Sequence, residues 1–177
     1  MTTDFSFLAA GAVTASLVVD ENGSTRSQLG NSRGIGNQTD LNLLLWLRNR
    51  SQIVLTSGIT AEAEDYRYPS NTNLAILTNS NRNYPRLSDS IGKVRFLSNM
   101  SFLQAVESLL AEGITQIHTE FGETGFQALA AERISCYVSS KSTAGIERFL
   151  ERTGLALGDS FSLPDLVIAR VDGRGRI

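Results

Sequence analysis

The residues best suited to do chemistry lie in one short segment, IHTEFGETGF, at positions 117–126. It contains the only histidine of the chain, His118, and two carboxylates, Glu120 and Glu123. The segment passes from a strand-like run into a helix-like one, with Gly122 between them. The free N–H groups of a helix's first turn attract phosphate, and glycine lets a ligand approach the backbone closely. The sequence therefore predicts a place for an anionic ligand beside Glu120.

Chemistry alone leaves two interpretations of these carboxylates open. A carboxylate at a strand end, near a bound anion and apolar surface, can have an altered proton affinity and serve in proton transfer. Alternatively, Glu120 and Glu123 only complement the positive end of the helix dipole. His118 alternates with Ile117 and Thr119 inside a strand, which favours a structural histidine whose hydrogen bonds are satisfied.

Two other motifs carry less chemistry. The segment GIGNQT at 34–39 half-matches a dinucleotide fingerprint, but that fingerprint directly follows a strand, and here a long polar segment precedes it. A flexible loop over a site is the better interpretation. The single cysteine, Cys136, lies in the apolar run ISCYV and is expected to be a buried small side chain, not a nucleophile. We expect no metal site.

Length and charge limit the function classes. The chain has 177 residues, which favours a single domain over 1–177, and a net charge of −2 with no basic excess. Nucleic-acid binding needs a basic face, and the one basic cluster, Arg174 and Arg176, is interpreted as a solvated tail. No apolar run approaches the roughly 20 residues of a membrane span, and the start lacks a signal-peptide pattern. We expect a cytoplasmic protein.

Short apolar runs rich in β-branched residues alternate with amphipathic segments along most of the chain, which predicts an α/β fold. Thr39 or Asp40 is the predicted cap of the first helix, Ser98-Asn99 is the predicted cap of the second, and Gly113 ends the second. The predicted strands are 12–19, 52–56, 74–78, 94–97, 114–119, 134–139 and 166–171. The predicted helices run from about 39 to 50, around 102–110, over 124–132 and over 143–152.

Unbroken apolar strands of this kind suit a sheet covered on both faces, so the predicted architecture is three-layered, α/β/α, with a mixed, mostly parallel central sheet. The late strands have shorter connections and can pair antiparallel. In such sheets ligands bind outside the carboxyl ends of the strands. The segments to examine are therefore 56–60, 78–82, 97–99 and 117–126.

Four stretches together resemble one known family. They are GNSRGIGNQTD at 30–40, LRNRSQIVLTSGIT at 47–60, EAEDY at 62–66 and IHTEFG at 117–122. In this order they resemble the reductase domain of the bifunctional riboflavin-biosynthesis deaminase/reductase, the RibD C-terminal family. The resemblance implies a dihydrofolate reductase-like fold over most of the chain.

The resemblance also implies an activity, that of an NADPH-dependent oxidoreductase. The family reduces the ring-opened sugar of 5-amino-6-(5-phosphoribosylamino)uracil, and a similar pyrimidine or related heterocycle is the implied small-molecule substrate here. Glu120 is then the catalytic residue, beside the nicotinamide and the substrate. The implied cofactor-binding residues are Gly58, Thr60, Gly122, Glu123 and Thr124, with Ser80 and Arg82 at the 2′-phosphate. The implied substrate-binding residues are Asn22, Ser32 and Arg48.

The chain departs from the family pattern at several places. The family's first strand ends in Ser-x-Asp-Gly, whereas this chain has DENG at 20–23, so that either Asn22 replaces the aspartate or Asp20 acts from a shifted position. The first glycine of the family's Gly-Gly pair after Glu120 is also replaced, by Phe121, which is expected to crowd the backbone's approach to the cofactor. A catalytically silent nucleotide-binding or interaction domain that keeps the fold is therefore the alternative.

A homodimer is also expected. The apolar segments 161–163 and 166–171 exceed what the edge of a small sheet should leave exposed, and the family commonly pairs through this region.

Overall fold

A computed structural model describes residues 4–8, 11–132 and 134–173 of the chain. The predicted basic tail with Arg174 and Arg176 lies outside the described residues.

Eight strands form one mixed sheet. In order across the sheet they are β4 (Arg95–Leu97), β3 (Asn73–Leu77), β2 (Ile53–Ser57), β5 (Ile117–Glu120), β1 (Val13–Val19), β6 (Ser135–Ser140), β8 (Val167–Asp172) and β7 (Ala156–Ser162). The first six in this order pair in parallel, whereas β8 is antiparallel to β6 and β7 is antiparallel to β8. The prediction of a mixed, mostly parallel sheet with late antiparallel strands is confirmed.

Helices cover both faces of this sheet. Three helices, α3 (Phe102–Ala111), α4 (Glu123–Ala130) and α5 (Thr143–Thr153), enclose the main apolar core on one face. The opposite face carries α1 (Gln38–Asn49), which packs over the β8 side, and α2 (Gly58–Ala63), which packs over β2 and β3 with the 3-10 helix Pro85–Lys93. The fold is therefore three-layered, as predicted.

The helix ends show how local sequence fixes α1 and α3, and they correct two predictions. The cap of α1 is Asn37, whose side chain accepts the N–H of Asp40, and not Thr39 or Asp40. The cap of α3 is Ser101, in a reciprocal capping box with Gln104, and not Ser98 or Asn99. In each helix the cap side chain accepts the backbone N–H of the third residue after it, because the first N–H groups of a helix need acceptors.

Three elements were not predicted. One is the 3-10 helix Pro85–Lys93. The segment after β2 forms the short helix α2, whose cap Ser57 accepts the N–H of Thr60. The edge strand β7, ALGDSFS, has little apolar alternation and was missed. One premise of the homodimer prediction is also wrong, because β8 lies inside the sheet and its Ile168, Ala169 and Val171 are fully buried by the chain itself.

The helices of the described residues are short, and α1, with 12 residues, is the longest α-helix among them. None of them has the length and apolar character needed to cross a membrane.

Candidate functional site

A cleft of about 870 Å³ opens on the α1–α2 face of the sheet. On this face the apolar clusters under α1 and under α2 are separate, and the sheet between them carries polar side chains. The carboxyl ends of four adjacent strands contribute to its lining, through Ser57 of β2, Glu120 of β5, residues 16–18 of β1 and Ser139 of β6. The site therefore lies where the strand topology predicts a ligand.

An ion pair between Arg48 and Glu120 forms part of the cleft lining. The Arg48 guanidinium donates from Nε to Oε1 and from Nη2 to Oε2 of Glu120, both at 2.7 Å. Tyr66 donates its hydroxyl hydrogen to Oε2 of the same carboxylate, and the Arg48 guanidinium lies 5.4 Å from the centre of the Tyr66 ring. Helix α1, strand β5 and the segment after α2 are thereby joined at one carboxylate.

The charges of this cluster reinforce each other. Burial by itself raises the pKa of Glu120, but the charge and hydrogen bonds of Arg48, with help from His118 and Tyr66, outweigh burial and lower the pKa to about 2. Burial and the Glu120 charge raise the pKa of Tyr66 well above its ordinary value. At neutral pH Glu120 is therefore ionised and Tyr66 is a neutral hydrogen-bond donor.

His118 lies deeper in the sheet, on the same side of β5 as Glu120. Its ring is completely buried, with Nδ1 at 2.9 Å from the Thr14 hydroxyl and Nε2 at 3.0 Å from the Ser16 hydroxyl. Burial lowers the pKa of His118 to about 4, although Glu120, 3.6 Å away, acts in the opposite direction. A neutral histidine with both ring nitrogens hydrogen-bonded is the structural residue that the sequence predicted.

Two helix starts meet beside this cluster, because β2 and β5 are neighbours in the sheet. Helix α2 begins directly after β2 and helix α4 shortly after β5, and Thr60, Gly122 and Thr124 line the cleft. Gly122 has a φ of +76°, and a Cβ built on it would lie 3.2 Å from the Thr60 hydroxyl. Gly122 therefore meets a backbone requirement that other residues satisfy poorly.

The start of α4 also carries its own ion pair. Glu123 binds Arg152 of α5 through both carboxylate oxygens and accepts the Thr25 hydroxyl at 3.3 Å. Arg152 also donates to the Gly23 carbonyl at 2.8 Å. Glu123, Arg152 and Thr25 all line the cleft. The carboxylate that the sequence placed at the helix start is thus present at the cleft, already paired with an arginine.

The ring of Phe121 is turned into the core. Only 5% of Phe121 is exposed, and its ring centroid lies 4.8 Å from that of Phe102. Gly125, one turn into α4, makes room for it, because a Cβ there would collide with the Phe121 side chain. The expected crowding of the backbone is therefore relieved by the glycine four residues later.

The two candidates after β1 separate clearly. Asn22 lines the cleft. Asp20 instead stabilises the turn, since its Oδ1 accepts the N–H groups of Asn22 and Ser24, both at 2.8 Å. Of the two alternatives, Asn22 is the residue next to the cleft.

The remaining predicted binding residues fall into two groups. Ser32 lines the cleft, where its N–H and hydroxyl donate to the two oxygens of Glu64 at 2.6 and 2.9 Å. The others are outside the cleft lining. Gly58 is buried, and a Cβ on it would lie 2.6 Å from the Thr78 hydroxyl. Ser80 is exposed, and Arg82 donates to Glu62 at 2.5 Å.

Two cleft residues, Asp40 and Tyr66, were not assigned a role from the sequence. Asp40 lines the cleft and its Oδ1 accepts the Ser139 hydroxyl at 2.5 Å. Burial raises the pKa of Asp40, and the hydrogen bond from Ser139 partly offsets that effect. Asp40 is the last residue of the stretch 30–40 and Tyr66 is the last residue of the stretch 62–66, and both stretches carry the family resemblance. That position is the signal that could have identified them.

Two exposed cations complete the cleft lining. Within residues 4–8, 11–132 and 134–173, neither Arg26 nor Arg67 forms an ion pair, although both line the cleft. Among those same residues, no group of three or more His, Cys, Asp or Glu side chains is arranged to hold a metal ion. Burial, with a smaller effect from Asp172, raises the pKa of Cys136 to about 12, which agrees with the prediction of an inert thiol.

No protein-family model matches this chain, and no curated protein sequence matches it. Its fold, however, is similar to solved structures over most of its length. A pyrimidine reductase-like protein from Corynebacterium diphtheriae has a TM-score of 0.65 and 18% identity, covering 92% of this chain and 91% of that one. The riboflavin biosynthesis reductase of Saccharomyces cerevisiae has a TM-score of 0.65 and 14% identity, with 96% and 92% coverage.

A bifunctional protein from Thermotoga maritima, a diaminohydroxyphosphoribosylaminopyrimidine deaminase/5-amino-6-(5-phosphoribosylamino)uracil reductase, has a TM-score of 0.60 and 14% identity. The match covers 91% of this chain but 56% of that protein, so this chain spans about half of its length. These likenesses establish the dihydrofolate reductase-like fold that the sequence resemblance implied.

Proposed function

We propose that this protein is an NADPH-dependent reductase of a pyrimidine or related heterocycle that carries a sugar. The observation that carries the proposal is the ionised Arg48–Glu120 pair at the carboxyl end of β5, directly beside the starts of α2 and α4. An anionic cofactor and a polar substrate can both contact this point. The leading substrate is 5-amino-6-(5-phosphoribosylamino)uracil or a close relative, in riboflavin biosynthesis. We place the reaction in the cytoplasm.

The cofactor side of the cleft is formed by Thr60, Gly122, Glu123 and Thr124. The backbone at Gly122, with its positive φ, and the two helix starts suit a pyrophosphate, because free N–H groups of a first turn bind phosphate oxygens. Bound there, NADPH supplies the hydride. Ser80 and Arg82 are proposed for its 2′-phosphate, and Arg82 has to exchange its contact with Glu62 for that role.

The substrate side is formed by Asn22, Ser32 and Arg48. Arg48 is held by Glu120 through two of its nitrogens, Nε and Nη2, which leaves Nη1 to donate to a ligand. We therefore assign Glu120 mainly to the electrostatics and the orientation of Arg48. Its low pKa makes it a poor proton donor at neutral pH, so the proton-transfer role first expected of Glu120 needs another group.

Asp40 is the carboxyl group we propose for proton exchange. Its pKa is raised by burial, whereas that of Glu120 is lowered, and carboxyls with opposite shifts in one site often divide the roles of acid and fixed charge. Asp40 lies eight residues before Arg48 on α1, about 12 Å along the helix axis. Reduction of an imine adds a hydride at carbon and a proton at nitrogen, and Asp40 would supply that proton.

The test measures the oxidation of NADPH by its loss of absorbance in the presence of a panel of ribosylamino pyrimidines and pterins. Wild type should turn over at least one of them, and Asp40→Asn should lower turnover by roughly 100-fold while NADPH affinity stays unchanged. Substrate-dependent oxidation that is equally fast in Asp40→Asn would remove Asp40 from the mechanism.

A catalytically silent nucleotide-binding domain is the second candidate function. It is favoured by the internal partners of three predicted binding groups, since Arg48, Ser32 and Glu123 each contact another side chain of the chain. Tight NADPH binding without hydride transfer to any member of the panel would support this candidate.

A further inference from the structure

The contact between Ser32 and Glu64 places a carboxylate of the chain itself at a pair of hydrogen-bond donors in the cleft. The Ser32 N–H donates to Oε1 at 2.6 Å and its hydroxyl donates to Oε2 at 2.9 Å. Both residues line the cleft. Two convergent donors of this kind form an anion-binding site, and here the anion is Glu64.

Neighbouring contacts hold Glu64 in this position. Glu64 is the residue that ends α2, and its N–H donates to the Thr60 carbonyl at 2.9 Å. Arg33 donates to the Glu64 carbonyl at 3.2 Å and lies 3.6 Å from the Asp65 carboxylate. Arg86 also contacts Asp65, at 3.0 Å. These contacts hold the backbone of Glu64 at the end of α2, and its carboxylate is held by Ser32.

A phosphoryl group could use the Ser32 donors only after it displaced this carboxylate. It would then remain close to the released Glu64 carboxylate, and like charges at short distance are unfavourable. A neutral hydroxyl of a ligand has no such conflict, because it can donate to the carboxylate where it stands. The charge of Glu64 therefore discriminates against a phosphate at this end of the cleft.

We propose that Glu64 is a specificity-determining residue that excludes a phosphoryl group from Ser32 and selects a ribosylamino heterocycle without a phosphate. This inference rests on the proposed function and narrows the substrate class of the same cleft. Among the proposed substrates it favours a relative without a phosphate over 5-amino-6-(5-phosphoribosylamino)uracil itself, with Ser32 still on the substrate side of the cleft.

The test compares the affinities of uridine and uridine 5′-monophosphate by calorimetry, at neutral pH and without cofactor. Wild type should bind uridine at least as well as the monophosphate. Glu64→Gln keeps the shape and removes the charge, and it should improve monophosphate affinity by about tenfold with little change for uridine. Glu62→Gln is the matched control, since it removes a charge from the same helix without touching Ser32. It should leave the ratio of monophosphate affinity to uridine affinity unchanged.

Hydrogen exchange shows whether the contact exists in solution. The Ser32 amide should exchange faster in Glu64→Ala than in wild type, while amides of the core strands β1 and β5 keep their protection. Loss of protection in those strands would reveal a folding defect. The ratio of monophosphate affinity to uridine affinity would then be measured on Glu64→Asp, which keeps the negative charge on a shorter side chain.

Four results would overturn the inference. They are a wild-type preference for the monophosphate, an unchanged ratio of the two affinities in Glu64→Gln, an equal improvement in Glu62→Gln, and failure of the monophosphate to bind Glu64→Gln at all. None of these results depends on hydride transfer, so they are distinct from a failure to oxidise NADPH.

Discussion

Replacement of Glu120 by Gln should destabilise the protein strongly at neutral pH and hardly at all in acid. The carboxyl pKa is about 2 in the folded chain, against an ordinary value of 4.5. That difference corresponds to about 3 kcal/mol of folding stability at pH 7. It agrees with the roughly 3–5 kcal/mol lost when one partner of a buried ion pair is removed, since Arg48 would remain charged without its partner.

The sign of the pH dependence follows from the lowered pKa. The stabilisation from Glu120 is fully present above the unfolded-state pKa, near 4.5, and is lost as the pH falls toward 2. Urea unfolding followed by fluorescence should therefore give a midpoint lower by about 1–2 M for Glu120→Gln at pH 7. The two curves should converge as the pH is lowered through this range.

The pair between Arg95 and Glu112 provides the control. It is also a two-point pair, made through Nη1 and Nη2 of Arg95, but it lies on the surface, where solvent screens it. Glu112→Gln should therefore shift the midpoint far less than Glu120→Gln. Equal shifts in both variants, or a deficit of Glu120→Gln that is the same at pH 7 and at pH 2.5, would refute the role given to burial.

Three further predictions concern the cofactor, the histidine and assembly. NADPH should bind more tightly than NADH, because Arg82 can take the extra phosphate, and equal affinities in a fluorescence titration would remove that assignment. His118→Asn should lower the free energy of unfolding and leave NADPH affinity unchanged, because the buried neutral ring bonds the hydroxyls of Thr14 and Ser16 within the sheet; a folded variant without activity would contradict this. The chain should form a homodimer through the edge strand β7, where Leu157 is 55% exposed. Light scattering at micromolar concentration that gives only the single-chain mass would rule the dimer out.

Most of the fold could be predicted from the sequence because its buried strands are short, continuous and apolar. Strands such as β2, IVLTS, and β6, SCYVSS, follow that pattern, and their predicted bounds lie within one residue of the observed ones. Strand β7 could not be found in this way, because its glycine, aspartate and serines lie on an exposed edge where burial does not select residue type. Helix α2 was missed because Gly58 is a poor helix former in isolation.

The candidate site was predictable in position but not in its contacts. Glu120 and Gly122 line the cleft, as expected of residues at the end of a strand, because the ends of parallel strands converge at one edge of a sheet. The pairing of Arg48 with Glu120 joins residues 72 positions apart, and no local pattern encodes it. For the same reason the sequence could not show that Glu64 contacts Ser32.

The position of β1 in the sheet has a consequence for synthesis of the chain. This first strand lies between β5 and β6, so Thr14 pairs with His118 on one side and with Ser135 on the other. Neither neighbour exists until more than 100 residues have been added after Thr14, which at about 5–20 residues per second takes at least several seconds. During that interval both edges of β1 are open and its apolar side chains need protection. Chains that terminate before β5 should therefore aggregate or bind chaperones, and the native sheet should close only after β6 has left the ribosome.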